Sequence, residues 1–499
     1  MPGKRGAVGA DASSPGEPWQ TRCVQEQGKT GIGFVDAGSA TAHLHAALSA
    51  AVVQFPDELA AVQLPDDPAV FRKSYPEVLP HFEAARAGSA RRAEIARTVV
   101  AAIDERLVMH PDGTRLADAV TLAAEPFPTE THRFGGKPGL QPRVMLDGVD
   151  CEGAALVGAV TAMVARGSAS ASVADAIAWL VEQAGSDGID LSHRRIAMLG
   201  AGAELAPTRL WLEGGADVLW IDVADPPADL LGRDDLAGTL RWVPGGTDLL
   251  TEPDRVRATV EEFAAGDPID LGLYAYAGGE AREWRLTAAM NAIVDALPAQ
   301  NVHGVAMLLS PTTCGVLTDA ELAGEASRRG EAPRWLRSLD RIHALGSGGG
   351  HVTVGARSAN RGIVSIQGGS YQGAQYVGKM LTAEVWASAD LPINVSANTA
   401  AVSLTSSLQH PVFELAFAGA AAMNVETFSP PTTAALNGLL TLHDRLDPAS
   451  AERPLDELFT TRVHGGIYVA PYPIDSALRV AAGIGVLKDP RRIGALIGR

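Results

Sequence analysis

The residues with the clearest chemical spacing lie between Arg195 and Asp222, in the stretch RIAMLGAGAELAPTRLWLEGGADVLWID. An apolar run ends in Gly200-Ala201-Gly202, and a second apolar run ends in Asp222 about twenty residues further on. Glycine backbone at such a turn lets a pyrophosphate approach main-chain N–H groups, and an acidic side chain closing the next strand accepts hydrogen bonds from a ribose. Gly200, Gly202 and Asp222 are therefore candidate cofactor-binding residues for a dinucleotide. Because Asp222 repels a 2′-phosphate, NAD is expected over NADP. Two features oppose this reading. The third glycine of the fingerprint is replaced within Ala203-Glu204-Leu205-Ala206, and Glu204 brings negative charge towards a phosphate. A strand-turn-helix that binds no nucleotide fits the same fragment, as does one that binds S-adenosylmethionine for methyl transfer. A second group of reactive side chains, Tyr371, Tyr376 and Lys379, opens an apparent helix, in which Tyr376 and Lys379, three apart, share a face.

These side chains need a scaffold to hold them. From residue 191 short apolar runs alternate with helical segments, and the runs predict strands at Arg195–Leu199, Val218–Asp222, Leu240–Val243, Leu271–Tyr276, Val302–Leu309, His351–Gly355 and Ile393–Ser396. Such alternation predicts a parallel sheet covered on both faces. Upstream, apolar residues recur at helical spacing in His43–Val53, Arg91–Leu107, Glu152–Val164 and Ser172–Gln183. The expected fold class is α/β, a doubly wound parallel Rossmann-like sheet over residues 191–400. A disordered tail (1–30) and a mainly helical N-terminal domain (31–190) precede it, and a C-terminal helical extension (401–499) follows.

Across residues 193–400 the order of features resembles the short-chain dehydrogenase/reductase superfamily and is similar to the ketoreductase domains of fatty acid synthases. VPGGTDLLTEPDRVRATVEEF has the shape of that family's third strand, Asp-containing turn and following helix. IDLGLYAYAGG ends in Ala277-Gly278 as the family's Asn-Asn-Ala-Gly turn does, with Tyr274 to Tyr276 in place of the asparagines. VAMLLSPTTCG ends a strand in Ser310, where the family keeps its catalytic serine. The resemblance implies Asp248 near an adenine ring, Gly278 beside the cofactor and Ser310 polarising a carbonyl oxygen.

The family's tyrosine and lysine fall in one of two places. Without an insertion they correspond to Ala323 and Ser327, which neither protonate an alkoxide nor lower a phenol's pKa. With an insertion of some fifty residues they correspond to Tyr371 or Tyr376 with Lys379, and PINVSANTAAVSLT then resembles the family's Pro-Gly turn, with Thr405 downstream. The insertion-free alignment is preferred for its strand order. The implied function is hydride transfer between a nicotinamide cofactor and a carbonyl or alcohol carbon, with acyl thioesters among the candidate substrates. Its catalytic residues are Ser310, Tyr371 or Tyr376, and Lys379. The alternative is a catalytically inactive ketoreductase-like scaffold or ligand sensor, motivated by Ala323, Ser327 and Glu204.

Composition narrows the partners. A net charge of −17 over 499 residues argues against nucleic acid and anionic membrane surfaces, which select for clustered Lys and Arg. The three cysteines, Cys23, Cys151 and Cys314, lack CxxC spacing and fit a reducing compartment. No run reaches eighteen uninterrupted apolar residues, no HExxH-type spacing calls for a metal, and no G-x-S-x-G elbow points to a hydrolase. A cytoplasmic protein acting on a small molecule is expected, without a metal, a nucleic-acid partner or a membrane partner. Self-association into a homo-oligomer is left open.

Overall fold

A computed structural model describes residues 30–488 apart from positions 37, 391, 409 and 410. The tail expected over residues 1–30, and Cys23 with it, lies outside the described residues but for residue 30. At the centre stands a seven-stranded sheet, built from β1 (Glu130–Arg133), β2 (Arg195–Leu199), β3 (Asp217–Ile221), β4 (Thr239–Trp242), β5 (Ile269–Leu273), β6 (Val302–Leu309) and β7 (Asn394–Thr399). Their spatial order is β7-β6-β5-β2-β3-β4-β1. Strands β2 to β7 run parallel, while β1 joins the edge antiparallel to β4, with Glu130 opposite Trp242. The protein is thus a mixed α/β fold around a mostly parallel sheet.

The central strands are continuous apolar runs because both of their faces are covered. Successive side chains point to opposite faces, so Ile196 and Met198 join one core with Val218, Trp220 and Leu240. Ala197 and Leu199 join the other, with Leu219, Ile221 and Leu271. Helices Gly153–Ala165, Ala171–Ala184 and Pro430–Leu446 supply Leu156, Ile177 and Leu440 to the first face. The second face receives Leu48, Phe82 and Val99 from the helices Ala40–Gln54, Pro68–Ala87 and Arg92–Asp104. Residues 31–190 therefore share their cores with the sheet. Local chemistry starts these helices: Ser39 and Asp67 accept hydrogen bonds from the N–H groups of Ala42 and Ala69, and Pro68 takes a first-turn position that needs no donor.

Two sequence expectations are corrected. His351–Val354 does not enter the sheet; it forms an antiparallel hairpin with Arg357–Asn360. HVTV lacks the unbroken apolar character that a strand buried on both faces requires, and Thr353 instead bonds across the hairpin to Ser358 at 2.8 Å. Conversely, β1 (ETHR) comes from a region read as helical, and its polar sequence suits an exposed edge.

Strand order reverses between β2 and β5, which leaves a crevice at their carboxyl ends. Leu199 stands level with Ile221 on one side and Leu273 on the other, so the three strand-end turns open at the same height. Gly200, just beyond β2, has φ +89°, and a Cβ there would fall 2.1 Å from the backbone nitrogen of Ala275. Gly200→Ala should lower the unfolding free energy by about 3 kcal/mol, summing backbone strain and collision; chemical denaturation of the two proteins checks it.

Candidate functional site

A cavity of about 600 Å³ opens at this crevice, within the range of small-molecule sites. Gly202, Glu204, Tyr276, Gly278 and Glu283 form one wall; Ser310, Thr312, Tyr371, Gln375 and Lys379 form another. The second wall joins the end of β6 to the helical stretch Gly368–Ala387. Within it, Gly373–Leu381 is wound as a π-helix, a rare geometry that recurs at functional sites. Tyr371, Gln375 and Lys379, at steps of four residues, come to the same side. The opposite side packs on the helix Arg282–Ala296 so closely that a Cβ at Gly373 would lie 2.3 Å from the Trp284 ring.

Three contacts fasten this wall together. The Ser310 N–H donates to Gln375 Oε1 at 2.9 Å, and Lys379 Nζ donates to the carbonyl of Leu308 at 2.8 Å. Ser310 Oγ lies 2.8 Å from Thr312 Oγ1, and both hydroxyls act on the Tyr371 phenol beside them. Burial pushes the phenol's pKa up, Ser310 and Thr312 oppose that shift, and the charge of Glu283 adds to it. Burial also lowers Lys379 to about 8. Glu283 is itself pushed up by burial, and its Oε2 has no hydrogen-bond partner.

Each expected site residue can now be placed. Gly202 and Gly278 line the cavity; a Cβ at Gly278 would meet only the Tyr276 hydroxyl, at 3.9 Å, so its surface is open to a ligand. Gly200 shapes the turn from behind. Asp222 accepts hydrogen bonds from the N–H groups of Gly202 (2.9 Å) and Val223 (2.8 Å), while its carbonyl accepts one from Thr247. Asp248 closes its own turn through the Leu250 N–H at 2.9 Å. Both acids sit on loops that follow strands, and neither is among the residues lining the cavity. Glu204 enters the cavity, its carboxylate taken up by the Ser406 N–H at 2.9 Å.

Ser310, Tyr371 and Lys379 are brought together, and Tyr376 is not. Its phenol donates to Glu83 Oε2 at 2.8 Å, in a buried cluster where Arg86 also holds Glu83 and Glu384. Tyr376 is one residue past Gln375, and that step turns it to the far side of the helix, against Phe82. Ala323 and Ser327 lie on the helix Asp319–Glu331 and do not line the cavity, because residues 311–367 make an excursion of helices and a hairpin before the chain returns to β6. Sequence reasoning missed Thr312 and Glu283 as site residues. Thr312 had a signal in the Ser-Pro-Thr turn, whereas Glu283 had none, since only packing brings its helix to the cavity.

The chain matches no protein-family model and no curated protein. Among the described residues no helix is long and apolar enough to cross a membrane. The pKa of Lys379 sets a pH dependence. Between about pH 8 and its ordinary value near 10.5 the unfolded chain keeps a proton that the folded chain has lost, so stability rises with pH across that window. Lys379→Met removes this slope. Thermal melts from pH 7 to 10.5 should show the wild type gaining on the variant as pH rises.

Proposed function

We propose that the protein is a Rossmann-like oxidoreductase of the short-chain type, acting on a carbonyl or alcohol carbon in the cavity. The observation that carries this reading is the meeting of Ser310, Tyr371 and Lys379 in one cavity at the point where the strand order reverses. The order β4-β3-β2-β5-β6-β7 matches the arrangement that binds dinucleotides across such a crevice. The open surface at Gly278 and the glycine turn at Gly200–Gly202 fit a dinucleotide, held by Gly202, Gly278, Asp222 and Asp248. NAD, when bound, supplies or accepts the hydride.

The protein's own groups would handle the proton. Ser310 and Thr312 hydroxyls orient the carbonyl oxygen, and Tyr371 donates its phenolic proton to that oxygen as it becomes an alkoxide. Burial keeps the phenol protonated until then. The ammonium of Lys379 stabilises the resulting phenolate across a low-dielectric space. An acyl thioester, a ketone or an aldehyde each presents a suitable carbonyl.

Glu204 favours a second reading, a ligand-binding protein without turnover, because its charge stands in the cavity wall next to the turn. Nucleotide titration separates the two. Under the oxidoreductase reading NAD binds more tightly than NADP, and Asp222→Ala weakens NAD at least about tenfold by removing a charge-assisted hydrogen bond. Glu204→Gln should tighten NAD about fivefold, since even in water a like charge at close range costs about 1 kcal/mol. Tyr371→Phe should cut NADH-coupled turnover of a carbonyl panel about 10²- to 10⁴-fold while leaving NAD binding unchanged. No affinity for either nucleotide, in the wild type or in Glu204→Gln, removes the oxidoreductase reading.

A further inference from the structure

The cavity extends well past Ser310 and Tyr371. It continues as an apolar arm walled by Phe413, Ala416, Phe417 and Ala420 of the helix Pro411–Ala420 and by Ala477 and Ala481 of the helix Ile474–Lys488. Among the described residues from 413 onward, Thr427 is the only polar one lining it. The two helices form a firm wall: a Cβ at Gly419 would fall 1.9 Å from the carbonyl oxygen of Ala481, and one at Gly485 would fall 2.0 Å from that of Leu415. A side chain at either glycine would force the pair apart.

The polar end has a definite charge character. Two carboxyl groups, Glu204 and Glu283, face it, and Lys379 is the only cation among the described residues that line it. Glu283 is 8% exposed; its Oε2 is buried without a hydrogen-bond partner, and the Ser370 side chain acts on the same carboxyl. A ligand ending in a carboxylate would meet like charge there. A hydroxyl or a neutral carbonyl would not, and a hydroxyl would supply a donor.

We propose that the arm binds an unbranched alkyl chain whose uncharged, oxygenated end reaches Ser310, Tyr371 and Glu283. Placing the reacting carbon at that end rests on the oxidoreductase reading; the binding of the chain does not. Small side chains at Ala416 and Ala420, and at Ala477 and Ala481, repeat every four residues along the two helices, so methyl groups recur along this wall of the arm. Phe413 and Phe417 add aromatic bulk to the same wall. These determinants lie in the C-terminal helices, outside residues 193–400.

The test is calorimetric titration of the full chain, without nucleotide, with 1-alkanols from butanol to dodecanol. Affinity should rise about fourfold for each added methylene, the value of burying one CH₂, and then level off once the arm is full. Ala420→Phe should move that limit to shorter chains and Phe417→Ala to longer ones, with thermal melts confirming that each variant is folded. Decanoate should bind at least tenfold more weakly than 1-decanol, and Glu283→Gln should narrow that gap. Decanoyl-CoA that competes with 1-decanol would assign the chain to a thioester; failure to compete would assign it to the free alcohol or carbonyl, and both outcomes support the site. Affinity independent of chain length, or one limit shared by both folded variants, would overturn it. A chain-length limit without NADH-coupled turnover leaves this inference standing and removes the oxidoreductase reading, whereas turnover without a limit does the reverse.

Discussion

The candidate site depends on one clamp, the helical stretch Gly368–Ala387 held against the end of β6. Gln375 accepts a hydrogen bond from the N–H of Ser310, and Lys379 donates one to the carbonyl of Leu308, so both bonds fall on main-chain groups freed where the strand ends. Main-chain groups at a strand terminus have no ladder partner and must be satisfied by side chains or solvent. Here the partners come from the helix that also carries Tyr371, and the same bonds that finish the strand bring the phenol to the serine. On the outer side the helix is held by a buried charge cluster. Arg86 sits between Glu83 and Glu384 at 2.9 and 2.7 Å, and Arg92 adds a further bond to Glu384 at 2.9 Å. Burial acts to raise the Glu384 pKa, yet Arg86 and Arg92 hold it down at about 2. Removing one partner would leave a buried charge uncompensated, a loss larger than the net value of the pair itself. The N-terminal helix Pro68–Ala87 thereby becomes part of the site's support.

Electrostatics inside the cavity follow from burial. The phenol of Tyr371, the carboxyl of Glu283 and the ammonium of Lys379 are all shifted towards their neutral forms by desolvation. Such a site disfavours an ionic ligand, which would be desolvated there without a matched partner. The apolar arm made by the two C-terminal helices continues the same character away from the reacting end. Glu204 is the exception, and its bond to the Ser406 N–H ties the glycine turn after β2 to the loop after β7, across the mouth of the crevice.

The sequence by itself determined the six parallel strands and their glycine turn. Arg195–Leu199 and Val302–Leu309 are strands to the residue because continuous apolar runs bounded by turn residues encode burial on both faces locally. Gly200 was legible because a left-handed turn against a neighbouring strand admits no Cβ. The tertiary structure alone decided which helix stands at the end of β6, and with it which tyrosine faces Ser310. Tyr371 and Tyr376 share one helix and differ in sequence by nothing that marks a face, whereas the Glu83–Arg86–Glu384 cluster, drawn from distant segments, fixes the rotation that buries one phenol and presents the other. Residues 311–367 were equally opaque. Whether such an excursion separates the serine from its tyrosine depends on long-range packing, and apolar periodicity reports only that a residue is buried, never which segment buries it.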